Sequence, residues 1–352
     1  MRLSVLDQSP ISEGSTGADA LHNTIDLAVL ADELGYHRYW VAEHHGGPML
    51  ASASPEALIG PIAAATTAIR VGSGGVMLPH YSPLKVAETF TILAALFPGR
   101  IDLGIGRAAG TDPMTTFALQ RDRRQAAPDD FPQQLAELLA YFEDNLPADH
   151  PFYRLAATLP GLPALPETWL LGSSAQSAIW AGQLGLPYAF ADFINPGGAE
   201  IASLYRERFT PERGLRASRT AVAAWVLCAP TDEEAQHLAS SSRMTLTLLR
   251  RGQLIPVPSP DKATEFLRRE RKLDGQVGGA SRGTLPGRRG IIGSPEKVRG
   301  ELEALAADYG AEEAIVVTIT HEHAARRRSY ELLAGAFGLE PASARLAAST
   351  NR

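Results

Sequence analysis

What this sequence has little of narrows it first. A single cysteine, Cys228, occurs in 352 residues, so neither an internal disulfide nor a cysteine-cluster metal site can form. It lies in the apolar run Ala223-Ala224-Trp225-Val226-Leu227-Cys228, where a buried, inert thiol is expected. No apolar run approaches the ~20 residues needed to cross a bilayer. The start, Met1-Arg2-Leu3-Ser4-Val5-Leu6-Asp7, reaches an acid too soon for a secretory leader. A cytoplasmic protein with no membrane partner is therefore expected. Surplus positive charge is missing too: 33 basic against 39 acidic side chains leave -6, no footprint for nucleic acid. The densest basic stretch, Arg268-Arg269-Glu270-Arg271-Lys272, is interrupted by an acid and reads as a solvated helix face. Repeats and low-complexity tracts are absent.

Present instead is an alternation of two periods. Short runs rich in Val, Ile, Leu and aromatics, at about 2–7, 38–42, 69–77, 101–105, 168–172, 188–191, 220–228 and 314–319, predict strands. Helical patterns fall between them, at about 19–34, 55–67, 83–96, 131–146, 174–184, 197–208, 232–250 and 295–309, with a last one near 323–337. Ser54-Pro55, Ser82-Pro83 and Ser294-Pro295 place a hydroxyl at N-cap and proline at the first helical position. Thr231-Asp232-Glu233-Glu234 has capping-box spacing, and Gly35 marks a helix end.

Strands that alternate with helices pair in parallel through crossovers. A count of eight favours a closed (β/α)8 TIM barrel over an open doubly wound sheet. The expected organisation is one domain over 1–340, with a tail at 341–352. Insertions are expected after strands 4 and 7: about 107–130 with 147–167, and about 251–293. The second, rich in glycine and proline, is expected to be a mobile loop, either a lid over the site or passive surface.

In such a barrel chemistry belongs at the strand C-terminal ends. The second strand ends in Glu43-His44-His45, a group that could supply a base near neutral pH, ligate a metal, or form an internal pair. A hydrolytic metal barrel would need further ligands on its middle strands. The fifth ends in Gly172-Ser173-Ser174 and the sixth offers only Asp192, so no metal is expected. The third strand carries Gly72-Ser73-Gly74-Gly75, where close approach of a ligand or another backbone is expected. After the fourth, Gly104-Ile105-Gly106-Arg107-Ala108-Ala109-Gly110 has the wrong spacing and position for a dinucleotide fingerprint, yet Arg107 is placed to clamp an anion. At Gly172-Ser173-Ser174-Ala175-Gln176-Ser177 a strand turns directly into a helix. That arrangement suits phosphate binding or ordinary N-capping, and the nearness of Arg107 favours phosphate.

Taken together, these ends resemble the bacterial-luciferase-like family of flavin-dependent monooxygenases. The resemblance spans nearly the whole chain. It rests on Leu6-Asp7-Gln8-Ser9-Pro10, Leu34-Gly35-Tyr36-His37-Arg38-Tyr39-Trp40-Val41-Ala42-Glu43-His44-His45, Gly72-Ser73-Gly74-Gly75-Val76-Met77-Leu78-Pro79, Phe97-Pro98-Gly99-Arg100-Ile101-Asp102-Leu103-Gly104-Ile105-Gly106-Arg107, Gly172-Ser173-Ser174-Ala175-Gln176-Ser177 and Ser329-Tyr330-Glu331-Leu332-Leu333-Ala334. It implies FMN at the barrel mouth, its phosphate held by Arg107, Gly172, Ser173, Ser174 and Ser177. Gly74 and Gly75 would lie against the ring, at a non-prolyl cis peptide frequent in the family. His44 matches the luciferase base, with Glu43 and His45 beside it. Reduced FMN would come from a separate flavin reductase and react with oxygen and a small organic substrate. Related barrels dimerise through neighbouring helices, so a homodimer is implied. The chain departs from luciferase at Gly106, where light-emitting enzymes have a reactive cysteine, so neither light emission nor long-chain aldehyde specificity follows. The alternatives are hydride transfer with F420 or flavin, and a flavin-binding protein without turnover.

Overall fold

The computed structural model describes residues 1–107, 112–120, 122–124, 129–276 and 290–341. Each expected strand forms: β1 (Arg2–Asp7), β2 (Arg38–Val41), β3 (Arg70–Met77), β4 (Ile101–Gly106), β5 (Glu167–Gly172), β6 (Tyr188–Ala191) and β7 (Thr220–Cys228), followed by β8 (Gly290–Gly293) and β9 (Glu313–Val317). All pair in parallel. β1 lies between β2 and β9, β9 bonds β7, and β7 bonds β6, so β1–β7 and β9 close into an eight-stranded barrel. Their residues are apolar on both faces because one face fills the barrel and the other meets helices.

β8 was not expected from the sequence. It extends the far end of β7, from Trp225↔Gly290 to Cys228↔Gly293, beyond the last β7–β9 pair at Trp225↔Val317. Cys228 is buried there, and burial pushes its thiol up to about 11.

Helices Gly17–Leu34, Pro55–Ala65, Pro83–Leu96, Phe131–Glu143, Ala175–Gln183, Ala199–Glu207, Pro295–Tyr309 and His323–Phe337 surround the barrel. The first ends at Gly35 in the left-handed region, φ 86°. Ser54, Ser82 and Ser294 do stand at N-cap, but their hydroxyls make no capping bond; the pre-set φ of the following proline starts each helix instead. Thr231 accepts from the Glu234 N–H, one half of the expected capping box. The pattern read as one helix over 232–250 divides into Asp232–Leu238 and Ser240–Leu249.

The insertions also hold structure that composition concealed. The first contains helix Pro113–Leu119, capped by Asp112. The segment 251–293, expected as a loop, contains helix Pro260–Gln276 as well as β8. That helix is strongly polar, yet Ala263 packs with Met244 and Leu248 and Lys262 pairs with Glu13. Residues 277–289, which include Gly278, Gly279, Gly283 and Gly287, lie outside the described residues, as does nearly all of the tail at 341–352. Among the described residues no helix is long and apolar enough to cross a membrane.

A ring of charge closes the N-terminal end of the barrel. Arg38, at the start of β2 and fully buried, reaches Asp102 of β4 and Glu313 of β9, each at 2.6 Å. Asp102 also pairs with Arg70 of β3 and accepts the Trp40 indole N–H at 2.9 Å. Arg70 continues to Glu167 of β5 at 3.0 Å, and Arg219, just before β7, meets Glu167 at 2.6 Å. The Arg38 guanidinium lies 4.6 Å from the Trp169 ring centre, within cation–π range.

Candidate active site

The opposite end opens into a cavity of about 450 Å³. Glu43, His44, Gly74, Gly75, Arg107, Gly172, Ser173, Ser174 and Ser177 all line it. Residues up to 134 positions apart in sequence are thus brought together by the shared strand direction of a parallel barrel.

The third strand shapes one wall. Its register to β4 slips between Gly74 and Val76, which makes Gly75 the extra residue of a bulge, and the Gly74–Gly75 peptide is cis. A Cβ on Gly74 would stand 2.5 Å from Leu6 Cδ1 and 3.0 Å from Trp40 Cβ inside the barrel, so any larger residue here would push those side chains aside.

At the opposite wall, β5 runs through Gly172-Ser173-Ser174 into helix Ala175–Gln183. Both readings of this turn have a basis. Ser174 and Ser177 form a reciprocal capping box, yet with contacts of 3.4 Å in both directions. Three residues that the sequence reading overlooked support the turn. Asn195 donates its amide to the Ser173 carbonyl at 2.8 Å, and the Tyr188 hydroxyl lies 2.9 Å from Ser177 Oγ. Trp180, on the same helix, has its ring centre 5.7 Å from the Arg107 guanidinium. Arg107 is half exposed at the rim and pairs with Asp129 at 3.0 Å.

The Glu43-His44-His45 group divides between two tasks. Glu43 is buried; it accepts the Met77 N–H at 2.9 Å and faces His45 Nε2 at 2.8 Å. Burial raises its carboxyl pKa, while those two contacts pull the other way. This pair braces the end of β2 against the end of β3. The His44 main-chain N–H donates to the Ser52 carbonyl at 2.9 Å. Its ring borders the cavity, and Nδ1 is buried with no partner among the described residues. Burial, reinforced by the neighbouring His45, lowers the imidazole to about 4, so it is neutral at pH 7.

A second cavity of about 510 Å³ adjoins the first, sharing Gln8, His44, Phe193 and Ile194, and it takes in His45 and Trp225. Phe193 lies two residues past the β6 end at Ala191, so the strand-end rule applied to aromatics as well as to titratable groups would have found it. Asp192, the polar group expected there, is instead buried and accepts the Tyr309 hydroxyl at 2.7 Å. Asp7, within an opening anchor motif, also turns away from the cavity lining. It is buried against Arg326 and accepts the Tyr39 hydroxyl. Burial opposes ionisation, but Arg326 and the hydrogen bonds hold its carboxyl below the ordinary range. His321 and His323 bond Glu322 and Asp26 and line neither cavity.

A family model described as luciferase-like monooxygenase matches residues 1–313. The chain belongs to the luciferase-like monooxygenase family. N-acetyl-S-alkylcysteine monooxygenase of Bacillus subtilis is 39% identical over 339 residues, covering 96% of this chain and 98% of that protein. The crystal structure of apo-MsnO8 is 42% identical, with a TM-score of 0.84 over 97% of this chain and 98% of that one. Two more distant structures share the fold. One is the oxygenating constituent of 3,6-diketocamphane monooxygenase from the CAM plasmid of Pseudomonas putida, determined with FMN. It is 21% identical, with a TM-score of 0.68 over 95% and 96% of the two chains. The other is an F420-dependent secondary alcohol dehydrogenase with an F420–acetone adduct, 15% identical, with a TM-score of 0.60 over 95% and 98%.

Proposed function

We propose that this chain is the oxygenating component of a cytoplasmic two-component monooxygenase, which takes reduced FMN from a separate reductase and oxygenates a small organic substrate. One observation carries the reading: a guanidinium, a serine-rich helix start, a glycine bulge and an unpartnered imidazole converge on one largely apolar cavity. The donor set fits a flavin. Arg107, the Gly172–Ser174 turn and Ser177 would hold its phosphate, Gly74 and Gly75 would border its ring, and the apolar walls would exclude water. When bound, reduced FMN supplies the two electrons with which O2 gives one oxygen atom to substrate and the other to water. His44, neutral and on the cavity wall, takes the role of proton acceptor; Glu43 and His45 position it through the β2 end. The sequence has no dinucleotide fingerprint, which fits reduction elsewhere.

Anaerobic titration with photoreduced FMN tests the reading, followed by oxygen uptake in the presence of a reductase. Saturable binding is expected; its absence would sink the proposal. Preference for reduced F420 would replace the cofactor, and binding without turnover would leave a flavin-binding protein. Arg107→Ala is expected to weaken FMN by ~1.5–3 kcal/mol, about ten- to a hundredfold in Kd. An unchanged Kd would show that the arginine serves only its Asp129 pair.

The same reading carries a homodimer. Ile92 and Leu96 stay exposed on helix Pro83–Leu96, and light scattering of the purified chain checks whether a second copy covers them.

A further inference from the structure

The two cavities meet at four residues, Gln8, His44, Phe193 and Ile194. Two of these are apolar, and His44 is the proposed proton acceptor. Gln8 has no task yet. It directly follows the β1 end at Asp7 and is only 6% exposed, although glutamine is a residue that proteins mostly keep in water. Its side chain offers two N–H donors and a carbonyl acceptor, and none of them has a partner among the described residues. The main-chain carbonyl, by contrast, accepts the Ser52 hydroxyl at 2.9 Å.

This amide is within reach of a ligand. Trp225 Nε1 and His44 Nδ1 are sealed beneath the surface, whereas the Gln8 amide is open to the cavities that it lines. The turn that carries it is fixed. The Ser9 N–H donates to Asp7 Oδ1 at 2.7 Å, and the Thr24 hydroxyl donates to Ser9 Oγ at 2.7 Å. The Ala51 N–H donates to the Ser9 carbonyl at 2.9 Å. A donor on so rigid a base loses little freedom when it binds.

The surroundings select what it binds. Met49, Leu246, Leu249 and Ile319 give the second cavity apolar wall, while His45 and the exposed carboxylate of Asp112 give it polar wall. No Lys or Arg is among its described lining residues; the arginine, Arg107, lines the first cavity. An anionic group at the junction would therefore lack a permanent cation on the second-cavity side and would face Asp112. A neutral carbonyl has no such cost and gains the amide N–H.

We propose that Gln8 is a specificity-determining residue: its amide N–H donates to the carbonyl oxygen of an uncharged substrate whose chain lies in the second cavity. That bond holds the carbonyl end beside His44, facing the first cavity. The proposal deepens the oxygenation reading and takes the word substrate from it, but the hydrogen bond itself needs no cofactor.

The test titrates octanamide and octylammonium calorimetrically into the full-length chain without cofactor. Octanamide is expected to bind the more tightly. Gln8→Leu keeps the bulk and removes the amide, and should weaken octanamide about tenfold. Gln8→Glu should shift the preference at least tenfold towards octylammonium, which a purely structural role for Gln8 would not produce. Leu249→Trp narrows the second cavity alone and should weaken octanamide as well. Unchanged melting temperatures and FMN affinities are expected in all three variants. A Gln8→Leu protein that holds octanamide within twofold would overturn the proposal. So would tighter octylammonium binding by the native chain, no effect of Leu249→Trp, or a tenfold loss of FMN in Gln8→Leu, which would assign the amide to the cofactor. Failure of the native chain to bind FMN would strike the flavin reading alone, because the octanamide result is read without it.

Discussion

Arg38→Met is expected to destabilise the protein by about 3–5 kcal/mol, the range for removing one partner of a buried ion pair. Arg38 is fully buried, and without it the Glu313 carboxylate is left with the Ser4 hydroxyl as its side-chain partner among the described residues. Asp102 would keep Arg70 and the Trp40 indole, so the larger part of the loss should fall on Glu313. The midpoint of urea unfolding measures it. The double change Arg38→Met with Glu313→Gln should recover part of the loss, because the stranded charge is gone. A shift below about 1 kcal/mol, within the usual range for surface pairs, would show that the ring does not hold the barrel closed.

Substituting His44 by alanine is expected to lower kcat/KM by roughly 10²- to 10⁴-fold, the usual worth of a positioned proton acceptor, while FMN affinity changes little. A variant that kept turnover within threefold would remove His44 from the chemistry. The same histidine should mark the pH dependence of stability. Unfolded, it takes a proton near pH 6.5; folded, only near 4. Between those values the unfolded chain binds more protons, so the native state weakens progressively as pH falls from 6.5 towards 4. Its full stability is present above 6.5. His37, also pushed to about 4 by burial, adds to the trend, so His44→Gln should flatten the acid slope without abolishing it.

Sequence patterns revealed the frame better than its fastenings. Eight apolar runs gave the barrel strands because a parallel sheet covered on both faces leaves a strong local signal. The strand-end rule then led to every candidate site residue, and all but His45 line the first cavity. Helix Pro260–Gln276 was missed because it is strongly polar and lies in a stretch whose glycines and prolines read as loop. β8 was missed because Gly290-Ile291-Ile292-Gly293 is four residues bounded by glycines. The charge ring was invisible for a different reason: Arg38 and Glu313 are 275 positions apart, and neither residue type at a strand start reveals which way it points. Gln8 was read simply as part of an opening motif. Only the structure shows that its amide faces the cavities.

The charge ring has a consequence for how such a protein can change. It fastens β2, β3, β4, β5 and β9 at the end away from the cavities, using residues at or near the strand starts. The mouth loops can therefore be lengthened, exchanged or grafted from relatives without loosening the closure on which the scaffold depends. The lower end has the reverse constraint. A single replacement strands a partner, so its members are expected to change together or not at all.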